Sequence, residues 1–316
     1  MKKIIASYLS SLTFRPSLAT RKTYEQGIKT YVRAVGANSP FSIETYVKFL
    51  KALAGYSPAT QDVYRAAVVD LYGYYCDEHG GMINLLAMKR ADKRYLKHEK
   101  KTEVNFDRES VNKLIQYAIN LRSRSANLAD QLRDARDRAF ILFLVDSGLR
   151  ISEACSLKRA DVPWDTGKMY IVGKGRKKAK IHFSKRALDA IKKYLNARMK
   201  IDSASGVLLE SLPLFARHDR GAGKKVKPVK PGGMWWAFAQ HMERAGLDPR
   251  SISPHKLRHE AVTRFYENTH DIKSTMNFSR HSRMDTVNRY THLVDTVVDD
   301  TYDEIFNKES NNATQK

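Results

Sequence analysis

Apolar residues recur at three- and four-residue spacing from about residue 18 to residue 87, the period of helices with one buried face. Thr20 is placed to cap a first helix whose Tyr24, Ile28, Tyr31 and Val32 share a side, and SIETYVKFLKALA follows with Tyr46, Phe49, Leu50 and Leu53 on one side. Ser57-Pro58 opens a third helix, serine as cap and proline at the first helical position, turning Val63, Ala67, Leu71 and Tyr74 inward. These segments predict a small helical bundle over residues 1–88. Its aromatic residues read as core rather than as a base-stacking platform, because their spacing is that of a buried stripe.

The periodicity fades after Leu96, and charge has already taken over. Lys89, Arg90, Lys93, Arg94, Lys97, Lys100 and Lys101 face only Asp92 and Glu99, which predicts a basic linker over 89–105. The run suits a solvated connector and equally a strap along a nucleic-acid backbone, where lysines displace counterions from phosphates. A second domain is expected over 106–316. RDARDRAFILFLVDS predicts a buried helix ending at Gly148, with another starting after Arg150. KMYIV and AKIHF predict a hairpin around the turn GKGRKK. KRALDAIKKYLNARM is amphipathic, with Leu188, Ile191 and Leu195 inward. The stretch from Arg217 to Lys230 reads as a glycine- and lysine-rich loop, with Lys224 and Lys225 as candidate phosphate contacts. Helical patterns return in WWAFAQHMERAG, HKLRHEAVTRFYEN and DTVNRYTHLV. The fold class is mainly α with a small antiparallel β-sheet.

Lys+Arg total 56 against Asp+Glu 34, a formal charge of +22 that is spread along the chain rather than confined to a tail. A polyanionic partner follows, nucleic acid before a merely solvated basic face or an anionic membrane surface. Cys76 and Cys155 lie in apolar surroundings without CxxC spacing, as buried thiols of a reducing compartment do. The longest strongly apolar run, AFILFLV, is far short of the ~20 residues of a membrane span, and the amino terminus lacks a signal-peptide pattern. A cytoplasmic, DNA-associated protein without a membrane partner is expected.

Against this background a set of cationic and proton-donating residues stands out. Arg150, in GLRISE, sits at a helix junction, and a guanidinium fits two phosphate oxygens at once. The same motif with Glu153 in the first turn is also an ordinary capped helix start. HKLRH places His255, Arg258 and His259 on one helical face. Zinc is disfavoured there, since Lys256 stands where HExxH needs glutamate. Lys174 lies between two glycines that permit close backbone approach, although GKGRKK is no P-loop. Tyr290, nine residues after His281 and three after Val287, is a core aromatic by spacing alone. It becomes a covalent nucleophile if neighbouring positive charge stabilises its phenolate.

In this order the residues resemble the tyrosine recombinases of the phage integrase family. Arg150 matches the first-arginine box, Lys174 the hairpin lysine, His255 and Arg258 the HxxR box, His281 the third histidine or tryptophan position, and Tyr290 the nucleophile. Two positions depart: Arg280 replaces the glycine usual before the third histidine, and Glu260 replaces a small or hydroxyl residue after HxxRH. The resemblance implies an Xer-like architecture, with a core-binding helical bundle, an α+β catalytic domain and a carboxy-terminal segment, about 295–307, that packs on its own domain or on a neighbour. It implies a site-specific recombinase acting as a homotetramer on two duplexes with inverted-repeat core sites, through a 3′-phosphotyrosyl link and a Holliday junction, without metal or ATP. Accessory DNA-bending or directionality proteins are further partners of such enzymes. Arg150 and Arg258 would hold the non-bridging oxygens and His281 add a hydrogen bond; His255 would be the base, Lys174 the acid, and Glu153 and His259 supports. A type IB topoisomerase and a non-catalytic DNA-binding regulator are the alternatives.

Overall fold

Helix starts in this chain are set by short polar side chains that accept from the first free backbone N–H groups. Ser42, Ser57, Asn84, Asp107, Asn127, Ser184, Ser253 and Asp271 all cap in this way. The computed structural model describes residues 1–13, 18–96, 107–172, 178–222 and 225–280. It divides into two units, Met1–Thr102 and Glu103–Lys316.

The first unit contains α1 (Lys2–Ser11), α2 (Leu18–Val35), α3 (Ile43–Ala52), α4 (Pro58–His79) and α5 (Leu85–Tyr95). Its core is built from Tyr8, Ile28, Tyr31, Tyr46, Phe49, Leu50, Leu53, Val68, Leu71 and Tyr72, so the aromatic residues are interior, as their spacing predicts. Phe49 and Tyr72 each meet the Tyr31 ring edge to face, and the Tyr31 and Tyr72 hydroxyls share a hydrogen bond of 2.9 Å. Three details differ from expectation. Helix α1 was not predicted, because Ser7, Ser10 and Ser11 break its apolar run; Ile5 and Tyr8 nevertheless bury one side. Thr20 lies inside α2, which begins at Leu18. Val63 is 39% exposed and Tyr74 half-buried, and Val68 and Tyr72 take the inward positions of α4.

The expected linker begins later than residue 89. Asn84 caps α5, which runs through Tyr95, and Met88, Ala91 and Leu96 join the core. The inward spacing was concealed because one of its members, Asp92, is charged. That carboxylate accepts from the Tyr46 hydroxyl at 2.6 Å and from Arg65 Nη1 at 2.9 Å. Lys89, Arg90, Lys93 and Arg94 stay exposed on the opposite side.

The second unit is organised around α7 (Leu128–Ser147). Residues Ala139 to Val145 are all buried, so this helix is surrounded rather than amphipathic. Around it are α6 (Arg108–Asn120), α8 (Ile151–Ser156), α9 (Lys185–Ser203), α10 (Pro231–Arg244), α11 (Pro254–Thr269) and α12 (Ile272–Ser279). Strands β1 (Lys168–Val172) and β2 (Lys178–His182) form the expected antiparallel hairpin, with Met169 opposite Ile181 on the buried face. On α9, Ile191 and Leu195 are buried and Leu188 packs against the same core. Described residues on either side of 223–224 are held by specific contacts. Ala216 bridges to Pro228, Arg217 pairs with Asp219 at 2.7 Å, Val229 enters the core, and Lys225 is exposed. Among the described residues no helix is long and apolar enough to cross a membrane.

The Asp92 network gives a direct test of whether α5 belongs to the first unit. Asp92→Ala strands the fully buried Tyr46 hydroxyl, and should lower the stability of that unit by about 2–3 kcal/mol in urea unfolding of the whole chain. The neighbouring exposed change Lys93→Ala should stay within about 0.5 kcal/mol. Equal effects from the two would detach α5 from the bundle.

Candidate active site

Helix α7 ends because Gly148 adopts the left-handed conformation, at φ 58°. A Cβ there would lie 3.3 Å from the Phe278 ring, so glycine also permits the close approach of α12. Two residues on, Arg150 is the N-cap of α8, and Glu153 reaches back to it. The Arg150 N–H donates to Glu153 Oε2 at 2.9 Å, and Arg150 Nη1 donates to Oε1 at 2.8 Å. The capped helix start read from GLRISE is present: Glu153 completes it and, by doing so, fixes the half-exposed Arg150 guanidinium at the junction.

Helix α11 brings the second arginine to the same place. Ser253 caps it and Pro254 occupies its first turn, which orients the following HKLRH segment. Arg258 is 1% exposed. Its Nη1 donates to the Gly148 carbonyl at 2.7 Å and its Nη2 to the Ser279 carbonyl at the end of α12. Glu153 Oε2 lies 4.0 Å from Arg258. Arginines from α8 and α11 thus converge on one helix junction, although they are 108 residues apart in sequence.

His255 is exposed and His259 buried, and their Nε2 atoms lie 2.9 Å apart with the rings nearly perpendicular. One nitrogen must carry the proton that the other accepts, so His259 holds the His255 ring in orientation. Glu260 is turned away from the arginines and pairs with Arg264 at 2.9 Å, which accounts locally for a carboxylate at that position.

A further member was not anticipated as a site residue. Arg280 ends α12 in the left-handed conformation, and its Nη2 donates to the Gly148 carbonyl at 2.9 Å and to Glu153 Oε2 at 3.3 Å. The only signal in the sequence was its place before His281, where the family has glycine. Burial pushes the Glu153 carboxyl upward, but the Arg150 N–H and guanidinium and the Arg280 charge outweigh it and hold the group below its usual range. Burial lowers the Arg280 guanidinium from its ordinary value, with Glu153 opposing the shift.

Lys174, His281 and Tyr290 lie outside the described residues, as do Lys97, Lys224 and the carboxy-terminal segment from 295 to 307. Of the expected set, the structure gathers Arg150, Glu153 and Arg258 at one junction, and it pairs His255 with His259 on the helix that carries Arg258. A cavity of about 1270 Å³ elsewhere in this unit, lined by Tyr117, Arg136, Asp137 and His241 among others, includes none of them. Among the described residues no group of three or more histidine, cysteine or acidic side chains is placed to hold a metal ion.

The architecture is that of tyrosine recombinases. The integrase of transposon Tn1549, in complex with transposon right end DNA, superposes with a TM-score of 0.70 at 13% identity, covering 96% of this chain and 99% of that one. The recombinase XerH bound to palindromic difH substrate gives 0.67 at 20% identity, covering 91% and 80%. A lambda integrase dimer bound to a core site gives 0.62 at 18% identity, covering 92% and 94%.

Residues 104–296 match the phage integrase family, and the chain belongs to it. Tyrosine recombinase XerC of Halalkalibacterium halodurans is 32% identical over 168 residues, 53% of each chain. Tyrosine recombinase XerA of Thermococcus kodakarensis is 32% identical over 159 residues, 50% of this chain and 51% of that protein. The chain thus spans about half the length of the curated relatives it matches.

Proposed function

We propose that this chain is a site-specific DNA recombinase that cuts and rejoins strands through a 3′-phosphotyrosyl link at Tyr290. The observation that carries this reading is the convergence of Arg150 and Arg258 on the Gly148 junction around Glu153, in a chain of the phage integrase family. Fixed guanidinium groups stabilise the charge that gathers on the non-bridging oxygens of a phosphate under attack, without reorganising during the reaction.

In the proposed step the Tyr290 oxygen bonds to phosphorus while the bond to the 5′-oxygen breaks. The phenolic proton passes to His255, whose ring His259 holds, and Lys174 donates a proton to the departing oxygen. His281 hydrogen-bonds a non-bridging oxygen. The free 5′-hydroxyl of a partner strand then attacks the phosphotyrosyl phosphorus and releases Tyr290. One phosphodiester is exchanged for another, so the chemistry calls for neither ATP nor metal. DNA with an inverted-repeat core site is the proposed substrate, held by a homotetramer on two duplexes. Support comes from the DNA-bound states of the XerH, Tn1549 and lambda enzymes that share the fold.

Tyr290→Phe should bind duplex normally and form no covalent complex on a nicked suicide substrate, while chelators leave the wild-type reaction unchanged. Covalent product from that variant would remove Tyr290 from its role, and inhibition by chelators would return attention to a metal at His255 and His259.

The acid can be separated from the other cations with a 5′-bridging sulfur, which leaves without needing a proton. Lys174→Ala should be nearly inactive on ordinary DNA and largely restored on the sulfur-substituted strand, whereas Arg150→Ala should not be restored. Restoration of both variants, or of neither, would make Lys174 a binding residue.

The exposed basic side of α5 predicts steep salt dependence, with a log–log slope of about −0.9 per phosphate neutralised. Reversing Lys93 and Arg94 to glutamate should flatten the slope measured by titrating duplex at several salt concentrations. An unchanged slope would take α5 out of the DNA interface.

A further inference from the structure

We propose that Arg280 is a positioning residue of this site: it staples the end of α12 to the α7–α8 junction and fixes Arg150 and Arg258 relative to each other. Its effect on cleavage rests on the recombinase reading above, but the staple itself does not.

The backbone is the first indication. Among the described residues only His270 and Arg280 have positive φ without being glycine, and at Arg280 φ is 57°. A left-handed conformation strains a side-chain-bearing residue as it does not strain glycine. His270 is exposed at its helix end, whereas the Arg280 side chain is only 6% exposed. Arginine is seldom buried unless paired, so a strained and buried arginine implies a compensating set of contacts.

Those contacts are shared with the other two arginines. The Gly148 carbonyl accepts from Arg280 Nη2 at 2.9 Å and from Arg258 Nη1 at 2.7 Å. Glu153 Oε2 accepts from Arg280 Nη2 at 3.3 Å and from the Arg150 N–H at 2.9 Å, while Oε1 holds the Arg150 guanidinium. Arg280 Nη1 closes back on the Phe278 carbonyl at 3.4 Å, and the Phe278 ring lies against Gly148. One side chain therefore touches the acceptor that orients Arg258 and the acceptor that orients Arg150. Both of its Nη groups are directed at protein oxygens, and two of those oxygens also receive Arg150 and Arg258, so it acts on the site through shared acceptors.

The test uses the whole chain with Arg280→Gly, Arg280→Lys, Glu153→Gln and the Gly/Gln double variant. Glycine accepts the left-handed backbone without strain, so any loss in Arg280→Gly belongs to the missing guanidinium. In thermal unfolding the double variant should be more stable than the sum of the single shifts predicts, by about 2–4 °C. Additive shifts would overturn the staple whatever the protein does to DNA. In single-turnover cleavage of saturating nicked duplex, Arg280→Gly should lose about 10- to 100-fold in rate while its duplex Kd changes by less than about twofold, and Arg280→Lys should recover part of the rate. An undiminished rate, or a loss confined to Kd, would overturn the positioning role. Should the wild type form no covalent complex, the recombinase reading falls while the unfolding cycle still decides the staple.

Discussion

The carbonyl of Gly148 is the point on which the arginine junction of the second unit depends. Gly148 ends α7 in the left-handed conformation, so its own carbonyl takes no part in the helix ladder. It accepts instead from two guanidinium groups, from α11 and from the end of α12. The same glycine lacks the side chain that would crowd Phe278. Closing α7, seating α12 and orienting Arg258 are thus one packing event. A larger residue at 148 would disturb all three together.

Most of the scaffold was legible because its periodicity is undiluted. The continuous apolar run of α7, the stripe of α9 and the paired short strands leave few alternatives, and each is present. The failures have physical causes. Serines interrupt α1, whose burial depends on the bundle rather than on its own pattern. From residue 89 onward α5 reads as linker because its inward face includes Asp92, which is tolerable only because Tyr46 and Arg65 meet it there. Periodicity registers hydrophobicity and is blind to a buried acid whose partners come from other helices.

The site shows the same division. Arg150, Glu153, His255, Arg258 and His259 were recognisable from local motifs, because a cap, a helix face and a family pattern are properties of short segments. Arg280 was visible only as a departure from that pattern. Its structural meaning requires three elements at once: the α12 end that bends it back, the α7 carbonyl that accepts it and the α8 carboxylate that balances it. Neighbours in sequence carry no trace of such an arrangement.

The way acceptors are shared separates this cluster from the other buried arginines of the unit. Arg136 lies against Asp137, and Arg198 against Asp202 with the Tyr194 hydroxyl and two carbonyls completing its fork. Asp202 also pairs with Arg159, and in both arrangements the acid is in direct contact with the buried guanidinium, as in a scaffold. Around Glu153, among the described residues, one carboxylate lies 2.8 Å from Arg150, 3.3 Å from Arg280 and 4.0 Å from Arg258. Glu153 thereby holds guanidinium groups from α8, α11 and the end of α12 in one register. Under the recombinase proposal that register has a purpose, because negative charge gathers on the non-bridging oxygens of a phosphate as a nucleophile approaches, and guanidinium forks already fixed in place meet it without reorganising.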